Sequence, residues 1–440
     1  MTGLLGVYMF DERWEVARFG LYGLMALQHR GQETAGLVTW DGSKLRREAG
    51  FGLVEEVLKE GSLSSLRGHV CIGAVSPERP EEVEDLQPIF LDDERVAFAF
   101  DGRMTSLSGR PLSERNYARD LRDLLERAVK ETGSTVELAR HLIREGEGGF
   151  SFILLDEEGN LVAGRSRSGT KPVCLGKMGF EGGIVASETS ATDTIGERVP
   201  ISPAEPLDPG ELRVFTPLSA RAERVAVSSR KLCSFELVYL ARPDSYIDDI
   251  PIYRVRRAIG EILAEEKKVE ADVVVGVPET AIPFAMAYSK ETGIPVEKGF
   301  EQTGRRVRSA LKPSQIERLM GVQLKLNVIS EVVRDRRVVL IDDSVVRGNT
   351  LSNIVYLMKE KGAKEVHVLI GSPAIRKRCP YGVEVPEEDE LIGRHLSEEE
   401  IAKVVGADSF HYLSVEGLLR AIGLPKGELC MKCFGVSSDG

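Results

Sequence analysis

The stretch Val338-Val339-Leu340-Ile341-Asp342-Asp343-Ser344-Val345-Val346-Arg347-Gly348-Asn349-Thr350 predicts a buried strand, a ligand-binding loop and a helix in direct succession. Its opening apolar residues are typical of a strand that is buried on both faces of a sheet. The two carboxylates come where this strand ends, and open α/β sheets bind their ligands at that edge. Gly348 then supplies backbone angles that other residues avoid. The stretch therefore predicts an α/β fold with a ligand site at the end of this strand.

The residues after the loop predict a helix, because apolar side chains recur at helical spacing from Leu351 to Met358. The N-terminus of a helix presents unpaired N–H groups and the positive end of the helix dipole, so the loop can hold a phosphate. The neighbouring carboxylates Asp342 and Asp343 suit ribose hydroxyls or a magnesium ion. A strand with a solvated acidic turn explains each feature alone. The order of the whole run favours a phosphate–sugar site.

The composition is that of an ordinary globular protein. The chain has 440 residues, of which 42% are hydrophobic and 29% charged, enough for two or three domains. The net charge of −11 argues against nonspecific binding to nucleic acid, which needs a basic surface. We find neither a signal peptide nor an apolar run of about 18 residues, so we expect a cytoplasmic protein without a membrane span.

The N-terminal half predicts many strands and few helices. A strand is expected at residues 2–8, followed by a helix through Val16, Phe19 and Leu27. Further strands are expected at residues 37–40, 70–75, 96–100, 150–156 and 183–187. This pattern fits a layered α/β/β/α sandwich.

The chain has six cysteines, and disulfides are not expected in a large cytoplasmic protein. Cys430 and Cys433 form a Cys-x-x-Cys pair near the C-terminus. Such a pair indicates a metal or redox site.

The run Asp342 to Thr350 resembles the phosphoribosylpyrophosphate (PRPP) loop of the type I phosphoribosyltransferases, and its form is most similar to the glutamine PRPP amidotransferase family. The segment from Cys233 to Ser245 also resembles that family. The resemblance implies an N-terminal-nucleophile (Ntn) hydrolase-type α/β/β/α sandwich, followed by a type I phosphoribosyltransferase domain with a parallel sheet flanked by helices. We expect the first domain at residues 1–225. The second, with a cysteine-rich tail, is expected at residues 226–440.

The run Gln28 to Gly36 resembles the class II glutamine amidotransferase motif, but the catalytic positions depart from the family pattern. Thr2 stands where the family has its nucleophilic cysteine, and Cys71 stands where it has the arginine that grips the glutamine carboxylate. The Asn-Gly pair of the oxyanion site corresponds to Asp101-Gly102, and a carboxylate there repels a developing oxyanion. We therefore expect no glutaminase activity. The alternative is that Thr2 itself serves as the nucleophile.

The resemblance implies how PRPP is bound. Asp342 and Asp343 would hold the ribose, and Glu279 would lie at the pyrophosphate. Thr280 would join the two aspartates as magnesium ligands, and Arg308 lies in the segment that covers PRPP in the family. In this chain Glu279-Thr280-Ala281 replaces the family's Asp-Ser-Gly, and alanine for glycine restricts the backbone. The remaining expected PRPP-binding residues follow the strand directly: Ser344, Val345, Arg347, Gly348, Asn349 and Thr350.

Four cysteines match the ligands of the iron–sulfur branch of the family. They are Cys233, Cys379, Cys430 and Cys433. The resemblance implies a 4Fe–4S cluster with a structural role, since four thiolates are what such a cluster requires. A zinc site of four cysteines, or four unligated thiols, is the alternative.

The family reaction forms 5-phosphoribosylamine and pyrophosphate from PRPP. For this chain we expect an enzyme that uses ammonia rather than glutamine, with Mg²⁺ and a 4Fe–4S cluster as cofactors. Expected partners are PRPP, ammonia or glutamine, purine nucleotides, and further copies of the chain. One alternative is a non-catalytic paralogue that binds PRPP or nucleotides and regulates a partner enzyme. Another is a phosphoribosyltransferase that uses a different nucleophile.

Overall fold

The computed structural model describes residues 1–114, 116–196, 204–302 and 326–437. Its N-terminal part contains two antiparallel sheets of seven strands each. In spatial order, the first sheet consists of Glu205–Pro206, Cys174–Lys177, Gly182–Ala186, Gly3–Met9, Val70–Ser76, Thr34–Trp40 and Leu45–Phe51. The second consists of Ser219–Arg224, Glu211–Thr216, Leu161–Arg165, Gly146–Asp156, Val96–Leu107 and Ile89–Leu91, with Arg110–Pro111 also paired to Val96–Leu107.

The two sheets pack face to face, with helices on both outer faces. Between the sheets, Leu4 and Ile72 of the first pack with Ala97 and Ile153 of the second. The helices Ala17–Ala26 and Thr189–Gly196 cover the first sheet, and Tyr117–Thr132 and Thr135–Glu145 cover the second. Four shorter helical turns complete this part: Gln28–Arg30, Val54–Val57, Glu60–Leu63 and Val83–Asp85. The expected α/β/β/α sandwich is confirmed.

The C-terminal part is built on a parallel sheet. Its strands are Val273–Gly276, Arg337–Asp342, Glu365–Ile370 and Ser409–Tyr412, in that spatial order. The helices are Ile252–Glu266, Ile282–Thr292, Ser330–Val333, Asn349–Glu360, Ile392–His395, Glu398–Val405 and Val415–Ile422. Helix Ile282–Thr292 ends at Gly293, whose φ of 75° belongs to the left-handed region that glycine adopts freely. The expected parallel sheet flanked by helices is confirmed.

Short elements connect these layers. The strands Phe300–Gln302 and Leu326–Val328 form an antiparallel pair, as do Tyr246–Ile247 and Ile250–Pro251. Leu232–Cys233 pairs in parallel with Leu429–Cys430, which ties the C-terminal tail to the start of this part of the chain. The remaining turns are Glu236–Leu240, Glu388–Glu390, Lys426–Glu428 and Lys432–Phe434.

The last strand of the second sheet ends at Arg224, and the next strand along the chain begins at Leu232. The domain boundary expected between residues 225 and 226 stays a prediction. Within the described ranges, every helix is too short or too polar to cross a bilayer.

Candidate functional site

The strand Arg337–Asp342 carries the candidate site at its C-terminal end. Val338 to Ile341 are fully buried, as their apolar side chains predict. Gly348 has a φ of 76° and directly precedes the helix Asn349–Glu360. A Cβ at this position would lie 2.9 Å from Cδ1 of Ile392. The loop therefore needs glycine for its backbone angle, and an added Cβ would also displace the end of the Ile392 side chain.

The carboxylates Asp342 and Asp343 lie side by side at the end of this strand. The backbone nitrogen of Asp343 donates to Oδ1 of Asp342 at 2.9 Å, and Oγ of Ser344 donates to Oδ1 of Asp343 at 2.7 Å. Burial and the neighbouring charge of Asp343 raise the pKa of Asp342 well above its usual range. Burial raises the pKa of Asp343 to about 6, although Ser344 and the guanidinium of Arg256 favour its charged form. A bound cation or hydroxyl donor would favour two ionised carboxylates.

Arg256, whose positive charge acts on Asp343, is a residue that the sequence analysis missed. It is fully buried on helix Ile252–Glu266 and donates to the backbone oxygens of Leu237 and Ala241. The signal was present, because a charged residue interrupts the apolar stripe of an otherwise amphipathic helix.

The loop presents a run of backbone N–H groups. From Ser344 to Thr350, no backbone N–H donates to another group among the described residues. The side chains of Asn349 and Thr350 are exposed at the start of the helix. Unpaired N–H groups at a helix N-terminus attract anions, so the loop is suited to bind a phosphate.

Arg347 is engaged by a residue outside the loop. Its Nε donates to Glu390 at 2.5 Å, and its Nη2 donates to the other carboxylate oxygen at 3.1 Å. Both side chains are about half exposed. Arg347 must therefore exchange Glu390 for a ligand phosphate if it is to bind one.

A second loop lies beside the carboxylates. The backbone nitrogen of Val277 donates to the oxygen of Ile341 at 2.8 Å, which brings the segment from Glu279 to Ala281 to the same edge of the sheet as Asp342. Glu279 is exposed and Thr280 is half-buried. The peptide bond between Pro278 and Glu279 is cis.

Ala281 does not strain this loop. Its φ of −87° and ψ of −2° lie in a region that alanine adopts freely, and its side chain is fully buried. The expected restriction by alanine in place of glycine is therefore not a structural obstacle here.

Arg308, which is expected in the segment that covers PRPP, lies outside the described residues. Its role stays a prediction.

The four candidate cluster ligands surround one cavity. Cys233 and Cys430 are register partners on paired strands, while Cys433 follows in the turn Lys432–Phe434 and Cys379 comes from a separate loop. The cavity encloses about 300 Å³ of free space, part of it open to solvent, and all six cysteines of the chain are free thiols. Burial raises the pKa of Cys233, and burial together with the other thiols raises that of Cys433.

The thiols surround this cavity rather than converge on one point. Among the described residues, no group of three or more His, Cys, Asp or Glu side chains is placed to hold a metal ion. The donor set is nevertheless one of soft sulfur ligands, which suits an iron–sulfur cluster or zinc.

Two of the substituted catalytic positions, Thr2 and Asp101, meet in the interior of the N-terminal part. Thr2 is buried, its backbone nitrogen bonds to Asp101, and its hydroxyl lies 3.5 Å from Oγ of Ser76. Although burial opposes ionisation, Lys171 and Arg30 lower the pKa of Asp101, so it is a carboxylate. Thr2 also lines a cleft that holds about 700 Å³ of free space, counted out to solvent.

Cys71 lies in the strand Val70–Ser76 and is fully buried. Burial raises its pKa to about 12, so it remains a thiol. A neutral buried thiol cannot grip a carboxylate as an arginine does.

Arg30 joins the two parts of the chain through buried ion pairs. Its Nη1 lies 2.7 Å from Glu188 and 3.0 Å from Glu236, and its Nη2 lies 3.4 Å from Asp101. All four side chains are completely buried. Sequence reasoning missed Glu188 and Glu236 as partners of Arg30, because long-range pairing leaves no local pattern.

The comparisons with known proteins cover nearly the whole chain. The family model "Phosphoribosyl transferase domain" matches residues 247–380. The amidophosphoribosyltransferase of Methanocaldococcus jannaschii is 37% identical over 98% of this chain and 96% of its own length. That of Bacillus subtilis strain 168 is 36% identical over 98% of this chain and 92% of its own.

Solved structures agree with these relatives. A structure described as the allosteric regulatory enzyme of purine biosynthesis matches with a TM-score of 0.87 and 34% identity, over 98% of this chain and 95% of that one. The B. subtilis glutamine PRPP amidotransferase, complexed with ADP and GMP, matches with a TM-score of 0.82 and 35% identity, over 98% and 96%. The chain therefore belongs to the amidophosphoribosyltransferase family of purine biosynthesis.

Proposed function

We propose that this protein forms 5-phosphoribosylamine and pyrophosphate from PRPP and ammonia. One observation carries the proposal: backbone N–H groups from Ser344 to Thr350, which have no partner among the described residues, directly follow two adjacent carboxylates at the end of a parallel strand. The first feature suits the 5-phosphate of PRPP. The second suits the ribose hydroxyls, which donate hydrogen bonds to carboxylates.

Asp342, Asp343 and Thr280 would hold Mg²⁺ in this proposal. Carboxylate and hydroxyl oxygens are the hard ligands that magnesium prefers. The raised pKa values of the two aspartates support this fit, because a cation would relieve the repulsion between buried carboxylates. When bound, magnesium would stabilise the negative charge of the leaving pyrophosphate.

The protein residues orient the sugar for displacement at C1. With the phosphate held by the loop and the hydroxyls held by Asp342 and Asp343, C1 is fixed relative to the segment from Glu279 to Thr280. The C1–O bond breaks and its electron pair leaves with pyrophosphate, while ammonia gives its lone pair to C1. The resulting ammonium then loses a proton to water. Fixed geometry lowers the barrier because the reacting groups need no further alignment.

We further propose that ammonia comes from solution or from a partner protein. In the Ntn mechanism the free α-amine of the nucleophile acts as a base. An α-amine at Thr2 would face Asp101 across 2.7 Å, and this carboxylate would hold it as an ammonium without a lone pair. Cys71 and Asp101 also replace the family's carboxylate clamp and an oxyanion donor. Together these changes argue against glutaminase activity and against Thr2 as a nucleophile.

For the four cysteines we propose a 4Fe–4S cluster. They line one cavity and together supply the four soft thiolates that such a cluster requires. A cluster held there would fasten Cys430 and Cys433 of the tail to Cys233 and Cys379. Its role would be structural.

A second candidate function is a non-catalytic protein that binds PRPP or purine nucleotides and regulates a partner. The replacement of the family's Asp-Ser-Gly by Glu279-Thr280-Ala281 favours it, because the segment expected at the pyrophosphate is altered. The B. subtilis relative was solved with ADP and GMP, which supports purine nucleotides as ligands here. We also propose, on the family's behaviour, that the chain forms a homo-oligomer.

One assay separates these functions. Protein prepared without air receives PRPP and Mg²⁺ with either ammonium or glutamine, and pyrophosphate release is followed. We expect release with ammonium only. Release with glutamine alone contradicts the inactive glutaminase, whereas PRPP binding without any release favours the regulatory protein. For the cluster, iron and sulfide are measured in the same preparation, and stoichiometric zinc without iron contradicts it.

A further inference from the structure

Lys171 is a buried lysine with too few acceptors. Its side chain is completely shielded from solvent. The ammonium donates to the thioether sulfur of Met1 at 2.7 Å, and its nearest ion-pair contact is Glu236, at 3.8 Å. A thioether is a weak acceptor, and an ammonium carries three donors. Burying such a charge without close acceptors is costly, so a further anionic group is expected beside it.

The carboxylates around Lys171 are already engaged. Glu236 accepts two hydrogen bonds of 3.0 Å from Arg30, and Asp101 accepts the backbone nitrogen of Thr2. Burial disfavours the charged ammonium, but Asp101 and Glu236 raise the pKa of Lys171 above its ordinary value. Lys171 is therefore a cation. Asp101 and Glu236 attract its charge, but both carboxylates also accept hydrogen bonds from other groups.

The cysteine cavity supplies the missing partner. Lys171 lines this cavity together with Cys233, Cys379, Cys430 and Cys433. Thiolates that hold iron carry negative charge, and a buried lysine beside them lies in a poorly screened environment.

A glycine leaves room for the side chain of Lys171. A Cβ on Gly102 would lie 2.9 Å from Cγ of Lys171 and 2.2 Å from the oxygen of Gly149. The absence of a side chain at Gly102, whose φ is 97°, leaves a channel for the lysine stem. Lys171 thus extends from the N-terminal sandwich to the cavity wall, while the cysteines all come from the C-terminal part.

We propose that Lys171 is a positioning residue that balances the negative charge of the iron–sulfur cluster held by the four cysteines. This inference rests on the proposed cluster. Lys171 would link the cluster to the N-terminal sandwich by electrostatic attraction, without being a ligand of the iron.

A second lysine at the cavity provides a contrast. Lys432 lies on the solvent side, where it is exposed and donates to the hydroxyl of Tyr381 at 2.8 Å. Water and salt screen an exposed charge much more than a buried one. Lys171 should therefore influence the cluster more strongly than Lys432.

The test is a redox titration of the anaerobic full-length protein, with iron and sulfide measured beside it. We expect Lys171→Met to make the reduced cluster less favourable by on the order of tenfold, a midpoint potential about 59 mV more negative for one electron. Lys171→Arg keeps the charge and should stay near the wild-type potential. Lys177→Met is the matched control, because Lys177 is an exposed lysine paired with Glu205.

The outcomes distinguish the inference from the cluster on which it rests. A wild-type protein without iron overturns the proposed cluster. Iron in the wild type, with equal potentials in Lys171→Met and Lys177→Met, overturns the role of Lys171 alone. If Lys171→Met fails to fold, the double variant Asp101→Asn, Lys171→Met removes one charge of each sign. The midpoint potential of the double variant is compared with that of Asp101→Asn. Equal potentials in these two variants also overturn the inference.

Discussion

The backbone nitrogen of Thr2 donates a hydrogen bond of 2.7 Å to Oδ1 of Asp101, although 99 positions separate the two residues. The family resemblance puts Thr2 at the position of the nucleophile and Asp101 at that of the oxyanion site. Both are buried, and Asp101 also receives the charges of Arg30 and Lys171. The two substitutions thus form one charged cluster in the interior. That arrangement suits a structural role better than acyl transfer.

The first prediction concerns glutamine hydrolysis. Thr2→Cys alone should release no glutamate from glutamine, because Asp101 still holds the amine and Cys71 still replaces the carboxylate clamp. Glutamate release is measured directly, and ammonium-dependent pyrophosphate release serves as the control for folding. Glutamate formation by the wild type or by Thr2→Cys would show that the site is competent.

The second prediction concerns stability. Asp101→Asn should lower the free energy of unfolding by about 3 kcal/mol, because it leaves Lys171 and Arg30 with less negative charge in a buried site. Chemical denaturation measures this loss. Asp11→Asn is the control, since Asp11 pairs with the exposed Arg13 and should leave the midpoint unchanged. Equal midpoints for the two variants would mean that the buried pairing contributes little.

The third prediction concerns pH. The pKa of Asp343 is about 6 in the folded protein and about 3.9 in an unfolded chain. The folded state therefore binds this proton more tightly, so the stabilising contribution is complete below about pH 4 and is lost as pH rises through about 6.

Asp343→Asn should remove this dependence. The unfolding free energy of Asp343→Asn relative to wild type should rise by roughly 2–3 kcal/mol between pH 4 and pH 7, without ligand. The difference between the two proteins cancels the titration of shared groups that do not interact with Asp343, whereas Asp342 loses a neighbouring charge in the variant. A constant difference across this range would mean that Asp343 is not perturbed.

The fourth prediction concerns the phosphate loop. Gly348→Ala should cost about 1–2 kcal/mol of stability for the left-handed backbone, and it should also weaken PRPP binding because relief of this strain changes the backbone of the loop that precedes the helix. Gly293→Ala is a matched control, since Gly293 has a φ of 75° but no neighbour within 4 Å of an added Cβ. It should lose similar stability and keep its PRPP affinity. Equal PRPP affinities in both variants would argue against the loop as the phosphate site.

The fifth prediction concerns Arg347. Glu390→Gln should tighten PRPP binding a few-fold, because it frees the guanidinium from its ion pair. Arg347→Ala should weaken binding, and the double variant should resemble Arg347→Ala. Calorimetry at fixed magnesium and low salt measures these affinities. An unchanged affinity in Glu390→Gln would mean that Arg347 does not reach the substrate.

Local patterns gave much of the fold. The strand expected at residues 2–8 is found at Gly3–Met9, and that expected at residues 70–75 is found at Val70–Ser76. The helices Tyr117–Thr132 and Thr135–Glu145 were missed, although both are amphipathic. Their 3.6-residue apolar periodicity lies among many charged residues, but it was present in the sequence.

The sequence by itself determined the succession of strand, loop and helix at residues 337–360, since the order of strand, carboxylates, glycine and helix is a local property of consecutive residues. It also identified the four cysteines by their resemblance to a known pattern. Only the tertiary structure decided that Arg256 faces Asp343, that Glu390 engages Arg347, and that Lys171 reaches the cysteine cavity. These contacts join residues far apart in the chain. Buried charges find partners through packing, and packing leaves no periodic signal in the sequence.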